Sequence, residues 1–168
     1  AKALGGSVTR NKIPEIGWHR VELTEAGTRE PILAAFDRSQ EVFQWHEDGI
    51  SLPDEAVHLA ASPASHVQAF RYGEHAYGFQ FHLEVDASLV ERWLTVPANQ
   101  PILAAEAGRV DPGTIRQQTA RWIGDLEELA RGLIGRAGIA HADDNREVWI
   151  ESSLDALETV EKIRDLQP

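Results

Sequence analysis

Two short segments place histidines beside carboxylates in a spacing that supports acid–base chemistry. The first is FQFHLE at residues 79–84, at the end of an apolar run. Side chains two residues apart in a strand point to the same side, so His82 and Glu84 can meet. A carboxylate that binds an imidazole fixes its tautomer and orientation, which raises its competence as a general base. The spacing alone fits equally a hydrogen-bonded pair at a strand end that has no chemistry.

The second segment is FQWHEDG at residues 43–49, in which polar groups crowd the end of a predicted strand. Ligands of α/β folds bind at the ends of strands. The candidate ligand-binding residues of this segment are Trp45, His46, Glu47 and Asp48. A solvated turn explains the same residues, so the pattern leaves both interpretations open.

The composition excludes several kinds of site. The 168 residues contain no cysteine, which removes thiol nucleophiles, disulfides and thiolate zinc sites from this sequence and leaves His, Asp and Glu as metal ligands. The net charge of −11 disfavours nucleic acid and anionic membranes as partners. We see no apolar run of 18 residues and no secretory signal, so we expect a cytoplasmic protein, and we assign it no cofactor and no metal.

Alternating apolar and polar residues predict the strands that carry both segments. Five strands are expected, at residues 13–23, 41–45, 56–60, 67–72 and 76–81. A short helical piece is predicted around residues 31–36, and turns at 46–49 and 52–54. The connectors between the last three strands are short, which favours an antiparallel meander there.

The hydrophobic period changes from two to 3.6 after Glu84, which predicts helices in the second half of the chain. Asp86 can cap a helix that must stop before Pro97. Asp111 followed by Pro112 is typical of the first residues of a helix, and apolar residues at helical spacing continue to Ile134.

The two ends of the chain carry further helix signals. The run at residues 1–4 resembles the last turn of a helix that stops at a glycine C-cap, Gly5, so we expect the natural protein to begin further upstream. Residues 137–148 form a polar connector. Ser152 and Asp155 resemble a capping box that opens a last helix.

In their order and separation, the segments resemble a known family. The strings QWHEDGISLP, AVHLAAS, QAF and YGFQFHLE, within residues 42–84, resemble the C-terminal half of class I glutamine amidotransferase domains. AKALGGSV at residues 1–8 is similar to the helix and turn behind the family's nucleophile, and EIGWHRV at 15–21 is similar to the strand that follows. The resemblance covers residues 1–135, and residues 137–168 have no counterpart in it.

The resemblance implies a mechanism, a Cys-His-Glu triad that releases ammonia from glutamine through a thioester. His82 matches the general base and Glu84 the residue that orients it. The residues at 45–48 match the turn whose backbone lies against the bound glutamine. Leu83 stands where the family usually has proline, so this loop is expected to be less fixed. The family's nucleophile belongs to a GxCxG turn that would precede Ala1.

The resemblance also implies a fold class, a three-layer α/β flavodoxin-like sandwich with a mostly parallel central sheet, truncated here at its N-terminus. We expect residues 1–135 to form this domain and residues 136–168 to form an extension with one helix. The parent enzyme would hydrolyse glutamine or a γ-glutamyl amide, alone or with a synthetase partner or as a homo-oligomer. This chain, which has no cysteine, is expected to be inactive by itself.

Two other functions stay open. One is a binding or regulatory domain that keeps the fold and has lost the chemistry, which agrees with the absence of cysteine from the sequence. The other is a cupin-like barrel that binds Mn, Fe or Zn through His46, Asp48, His82 and Glu84. The helical character of the chain after residue 86 argues against a barrel.

Overall fold

A computed structural model describes residues 1–74 and 76–136. Its strands are β1 Val8–Leu23, β2 Ser39–Ile50, β3 Val57–Ala61, β4 Ala69–Tyr72 and β5 Ala76–Phe79. Its α-helices are α1 Ala87–Thr95, α2 Gln100–Ala105 and α3 Pro112–Arg136. Single 3-10 turns form at Lys2–Leu4, Gly27–Arg29, Pro31–Leu33 and Pro97–Asn99.

The five strands form one sheet in the order β2-β1-β3-β4-β5. Every strand pairing within the described residues is antiparallel, so the predicted meander of the last three strands is confirmed. The expectation of a mostly parallel central sheet is wrong for this part of the chain. Parallel neighbours need a long crossover, usually a helix, and the described α-helices all follow β5.

The long ribbon of β1 and β2 corrects a second expectation. Residues 46–49, predicted as a turn, continue β2, and Gly49 pairs with Thr9. The register shifts between Arg10 and Glu15, so that residues 11–14 bulge out of β1 opposite β2. Gly49 permits this arrangement because a Cβ atom there would lie 2.3 Å from Oδ1 of Asn11.

The predicted helix starts are confirmed by their caps. The Asp86 carboxylate accepts a hydrogen bond from the backbone N–H of Leu89 at 2.7 Å, and Asp111 accepts one from Thr114 at 2.7 Å. Gly5 has φ +96° and ends the first 3-10 turn in the left-handed region, as a glycine C-cap does. The short helix α2 is not predicted from the sequence.

Helix α3 packs across β1 where β1 has no side chain. Gly17 has φ +102°, and a Cβ atom there would lie 2.9 Å from Cγ1 of Ile115. Next to this contact the indole N–H of Trp18 donates to Oγ1 of Thr119 at 2.9 Å, in a buried position. Trp18 also packs edge-on against Phe43 of β2. The core is therefore continuous from α3 through both strands of the ribbon.

The proposed extension at 136–168, with its helix at Ser152, lies outside the described residues from position 137 onward. In the part of the chain that the structure describes, none of the helices combines the length and the apolar character needed to cross a membrane.

Candidate functional site

The first histidine–carboxylate pair lies at the outer edge of the sheet. Nδ1 of His82 is 2.6 Å from Oε1 of Glu84, the contact that the spacing predicts. The backbone N–H of His82 donates to the carbonyl oxygen of Phe43 at 2.8 Å, which holds the pair against β2. With Nδ1 bound to the carboxylate, Nε2 is the nitrogen left to accept a proton.

The surroundings of Glu84 favour its ionised form. Burial by itself raises the pKa of Glu84, but the hydrogen bond and charge of His82 and the backbone N–H groups of Leu83 and Glu84 lower it further, so the pKa lies below its usual value. A carboxylate that stays ionised at neutral pH can hold the imidazole in one tautomer.

An aromatic cluster supports the imidazole. The ring of Trp93, on α1, meets the ring of His82 edge-on with centroids 5.0 Å apart. Trp93 also contacts Trp45 at 5.6 Å and Phe43 at 6.0 Å. The sequence analysis assigned Trp93 no role at this site. The available signal was its position on the first helix after the FHLE motif.

The structure separates the four candidate residues of the 45–48 segment. Trp45 contacts Trp93, the ring that also contacts His82. The side chain of Glu47 pairs with the Arg10 guanidinium. His46, on the opposite face of β2 from Trp45, has its Nδ1 2.8 Å from the backbone carbonyl oxygen of Asp48. The Trp45 indole is thus linked to His82 through a shared neighbour, Trp93.

His46 belongs to a second histidine–carboxylate pair that sequence reasoning missed. Its Nε2 lies 3.2 Å from Oε2 of Glu15, an ion-pair separation whose alignment is poorer than that of a good hydrogen bond. Gln68 donates to the same Glu15 carboxylate at 2.6 Å. The sequence signal was an acidic residue between Pro14 and Ile16, inside a run that becomes a buried strand.

The two pairs are distinct, which bears on the metal-binding alternative. His82 faces Glu84, whereas His46 faces Glu15. Within residues 1–74 and 76–136, no group of three or more His, Asp or Glu side chains is arranged as a metal site. The four ligands of the cupin hypothesis, His46, Asp48, His82 and Glu84, thus do not form one cluster here.

Solved structures share this architecture. A glutamine amidotransferase from Thermotoga maritima superposes with a TM-score of 0.69 and 36% sequence identity, over 81% of this chain and 56% of that one. A glutamine amido transferase from Methylobacillus flagellatus superposes with a TM-score of 0.70 and 26% identity, over 92% of this chain and 62% of that one.

Sequence relatives agree with the structural ones. The glutamine amidotransferase-like protein YfeJ of Salmonella typhimurium is 41% identical over 90 residues, 54% of this chain and 38% of YfeJ. The glutamine-hydrolysing GMP synthase of Aeropyrum pernix is 32% identical over 102 residues, 57% of this chain and 19% of the synthase. The chain thus spans well under half the length of these curated relatives. The family model "Glutamine amidotransferase class-I" matches residues 1–94, more than half of the sequence, and the chain therefore belongs to that family.

Proposed function

We propose that this chain carries the base half of a glutaminase centre, in which His82 is the general base and Glu84 orients it. The observation that carries the proposal is the 2.6 Å contact between Nδ1 of His82 and the Glu84 carboxylate, at a position where His82 pairs with Phe43 of β2, the strand that continues into the 45–48 segment. The substrate is glutamine or a related γ-glutamyl amide. The backbone of the 45–48 segment, with Trp45 behind it, lines the substrate site.

In the proposed reaction Nε2 of His82 takes the proton of a cysteine thiol, and the thiolate attacks the amide carbon of glutamine. The same imidazolium then gives its proton to the leaving nitrogen, and ammonia departs as the thioester forms. Water attacks the thioester with His82 as base, which releases glutamate and restores the thiol. Throughout these steps Glu84 holds the ring and stabilises its positive charge.

The nucleophile has to come from residues other than these 168, because the sequence contains no cysteine. A base without a nucleophile loses the covalent route, so we expect the chain by itself to release no ammonia. We also assign the parallel strands of the family's flavodoxin-like sandwich to residues outside this sequence, while residues 1–135 supply the antiparallel sheet and its helices. The 56% and 62% coverage of the two solved relatives supports this division.

The fate of the ammonia is part of the same proposal. A relative is a glutamine-hydrolysing GMP synthase, which supports transfer of the ammonia to a synthetase. The absence of cysteine favours one alternative, a binding domain that keeps the fold without the chemistry.

The test measures ammonia release from L-glutamine by two proteins, this chain and the protein translated from the complete reading frame that contains it. We expect none from the chain and turnover from the complete protein, which His82→Gln lowers by about 10² to 10⁴-fold. His58→Gln is the matched control, since His58 bonds the backbone of Ala60 on β3. A complete protein that binds glutamine without turnover would support the binding domain. Turnover that His82→Gln leaves intact would refute the assignment of the base.

A further inference from the structure

The buried pair of Glu15 and His46 has no part in the proposed reaction, yet the Glu15 carboxylate contacts several other side chains. Glu15 is 1% exposed. Its carboxylate faces Nε2 of His46 at 3.2 Å and Nδ1 of His19 at 4.0 Å, and it accepts a hydrogen bond from Gln68 at 2.6 Å. Gln68 is itself held by Ser62 at 3.0 Å. A desolvated carboxylate with partners on several sides has little freedom to move.

His46 connects the Glu15 carboxylate to the backbone of β2. Its Nδ1 is 2.8 Å from the carbonyl oxygen of Asp48, which can only accept, so Nδ1 carries a hydrogen. Its Nε2 faces the carboxylate of Glu15. The ring thus has a contact at each nitrogen, with a buried carboxylate at one end and with the backbone two residues along the strand at the other.

The two faces of the strand link this contact to the candidate site. Trp45 and His46 are consecutive in β2, so their side chains point to opposite faces. On one face Trp45 packs on Trp93, whose ring supports His82. On the other face His46 is held by Glu15. Fixing His46 therefore fixes the backbone of the segment that carries Trp45, whose neighbour Trp93 contacts His82.

We propose that Glu15 is a positioning residue that acts through His46 to hold the backbone of the 45–48 segment in the form that receives the substrate. The identity of the substrate rests on the proposed function, whereas the hold on the backbone does not.

The charge balance around Glu15 agrees with this role. Burial raises the pKa of Glu15, but hydrogen bonds from His46 and Ser62 and the positive charges of His46 and His19 lower it more, so that the pKa falls below its usual value. Gln68, which also touches the carboxylate, is neutral. Glu15 therefore stays ionised at neutral pH, and its buried carboxylate keeps facing Nε2 of His46.

The test is the substitution Glu15→Gln, which removes the negative charge of the side chain and keeps its shape. At pH 7 we expect the ring ¹⁵N signals of His46 to shift, because its Nε2 no longer faces a charged carboxylate. We expect amide hydrogen exchange at residues 47–49 to rise by about tenfold. Glu41→Gln is the matched control, because Glu41 also belongs to the β1–β2 ribbon and pairs with Arg20 at 3.1 Å. Equal effects from the two variants would overturn the proposal.

A double-mutant cycle shows whether Glu15 acts through His46. In a His46→Gln background, Glu15→Gln should add nothing further to exchange at residues 47–49. An additive effect would overturn the proposal. If Glu15→Gln fails to fold, His46→Gln alone decides: it leaves Glu15 bound to Gln68 and should raise exchange at 47–49 by a similar factor, and unchanged exchange there contradicts the inference.

A titration with L-glutamine separates this inference from the proposed function. If glutamine shifts no amide of the 45–48 segment in the wild-type complete protein while the cycle behaves as expected, the substrate assignment fails and the hold on the backbone stands. If glutamine binds and Glu15→Gln leaves both the binding and the His46 signals unchanged, the role of Glu15 fails alone.

Discussion

The two histidine–carboxylate pairs use the same chemical groups in opposite settings. His82 and Glu84 are two residues apart, and their side chains are 23% and 33% exposed. Glu15 and His46 come from different strands, and their side chains are 1% and 12% exposed. Solvent reaches the first pair, whereas the second pair is enclosed by the protein. Burial, and not residue type, decides which pair is suited to chemistry and which to positioning.

The energetic consequence follows from hydration. The Glu84 side chain is one-third exposed and keeps part of its hydration, so its removal leaves few buried donors without an acceptor. Glu15 has given up its water and relies on Gln68, His46 and Ser62 instead. Its removal leaves buried donors without an acceptor, which is costly.

The largest expected difference between the pairs is in stability. Glu15→Ala should lower the free energy of unfolding by about 3 kcal/mol, because it breaks a buried pair and strands the donors of Gln68 and His46. Glu84→Ala should cost no more than about 1 kcal/mol. Urea unfolding of both variants, followed by tryptophan fluorescence, measures the two losses. Equal losses would show that burial does not distinguish the pairs.

Lowering the pH should reveal the same difference between the two pairs, through a smaller change in the free energy of unfolding. Both carboxylates have a pKa below the ordinary value of 4.5, so each contributes stability that is complete above that pH and is lost as the pH falls through the lowered pKa. Glu15→Gln should therefore flatten the dependence of unfolding free energy on pH below 4.5. Glu84→Gln should flatten it less, because water already screens Glu84. Melting curves between neutral pH and acid would contradict this if Glu84→Gln had the greater effect.

A substitution of Trp93 should affect the exposed pair, His82 and Glu84, without affecting the buried pair. Trp93→Leu keeps an apolar residue on α1 but removes the ring that meets His82 edge-on at 5.0 Å. We expect a loss of about 1 kcal/mol for the missing aromatic contacts, together with a shift of the His82 ring signals in NMR spectra. The His46 signals should stay in place, since His46 lies on the other face of β2. Movement of both sets would mean that the two faces are coupled through Trp45.

The smallest effect is expected at a charge pair that belongs to neither site. Arg116 of α3 binds Glu91 of α1 through two contacts of 2.7 and 2.8 Å at the surface. Such exposed pairs add little to stability. Glu91→Gln should leave the melting temperature within the scatter of replicate measurements, and the His82 and His46 signals unchanged. A clear drop in melting temperature would show that charge pairs count here regardless of burial.

Local sequence predicted much of what lies within one segment. The His82–Glu84 contact follows from alternation over three residues, and the caps at Asp86 and Asp111 follow from a side chain that reaches a backbone group three residues ahead. The antiparallel meander followed from short connectors. The resemblance to the family, confirmed by the family match over residues 1–94, came from motifs of the same short range.

The sequence alone could not decide where β2 ends or which way the sheet runs. Residues 46–49 look like a turn by composition, but they pair with β1 because the bulge at 11–14 absorbs the mismatch in register. That pairing joins residues far apart in the chain, and no property of the 46–49 segment encodes it. The expectation of a mostly parallel sheet was wrong for the same reason. The relative direction of two strands depends on which segments of the chain pair with each other.

By itself, then, the sequence determined the local geometry of the candidate base, the helix starts and the absence of a cysteine nucleophile from these residues. Only the tertiary structure decided that Trp93 supports His82 and that Glu15 holds His46. Alternation and capping act over two to four neighbouring residues, so a pattern can reveal them. A buried charge pair forms only when strand register and burial bring distant groups together, and both are properties of the whole packed sheet.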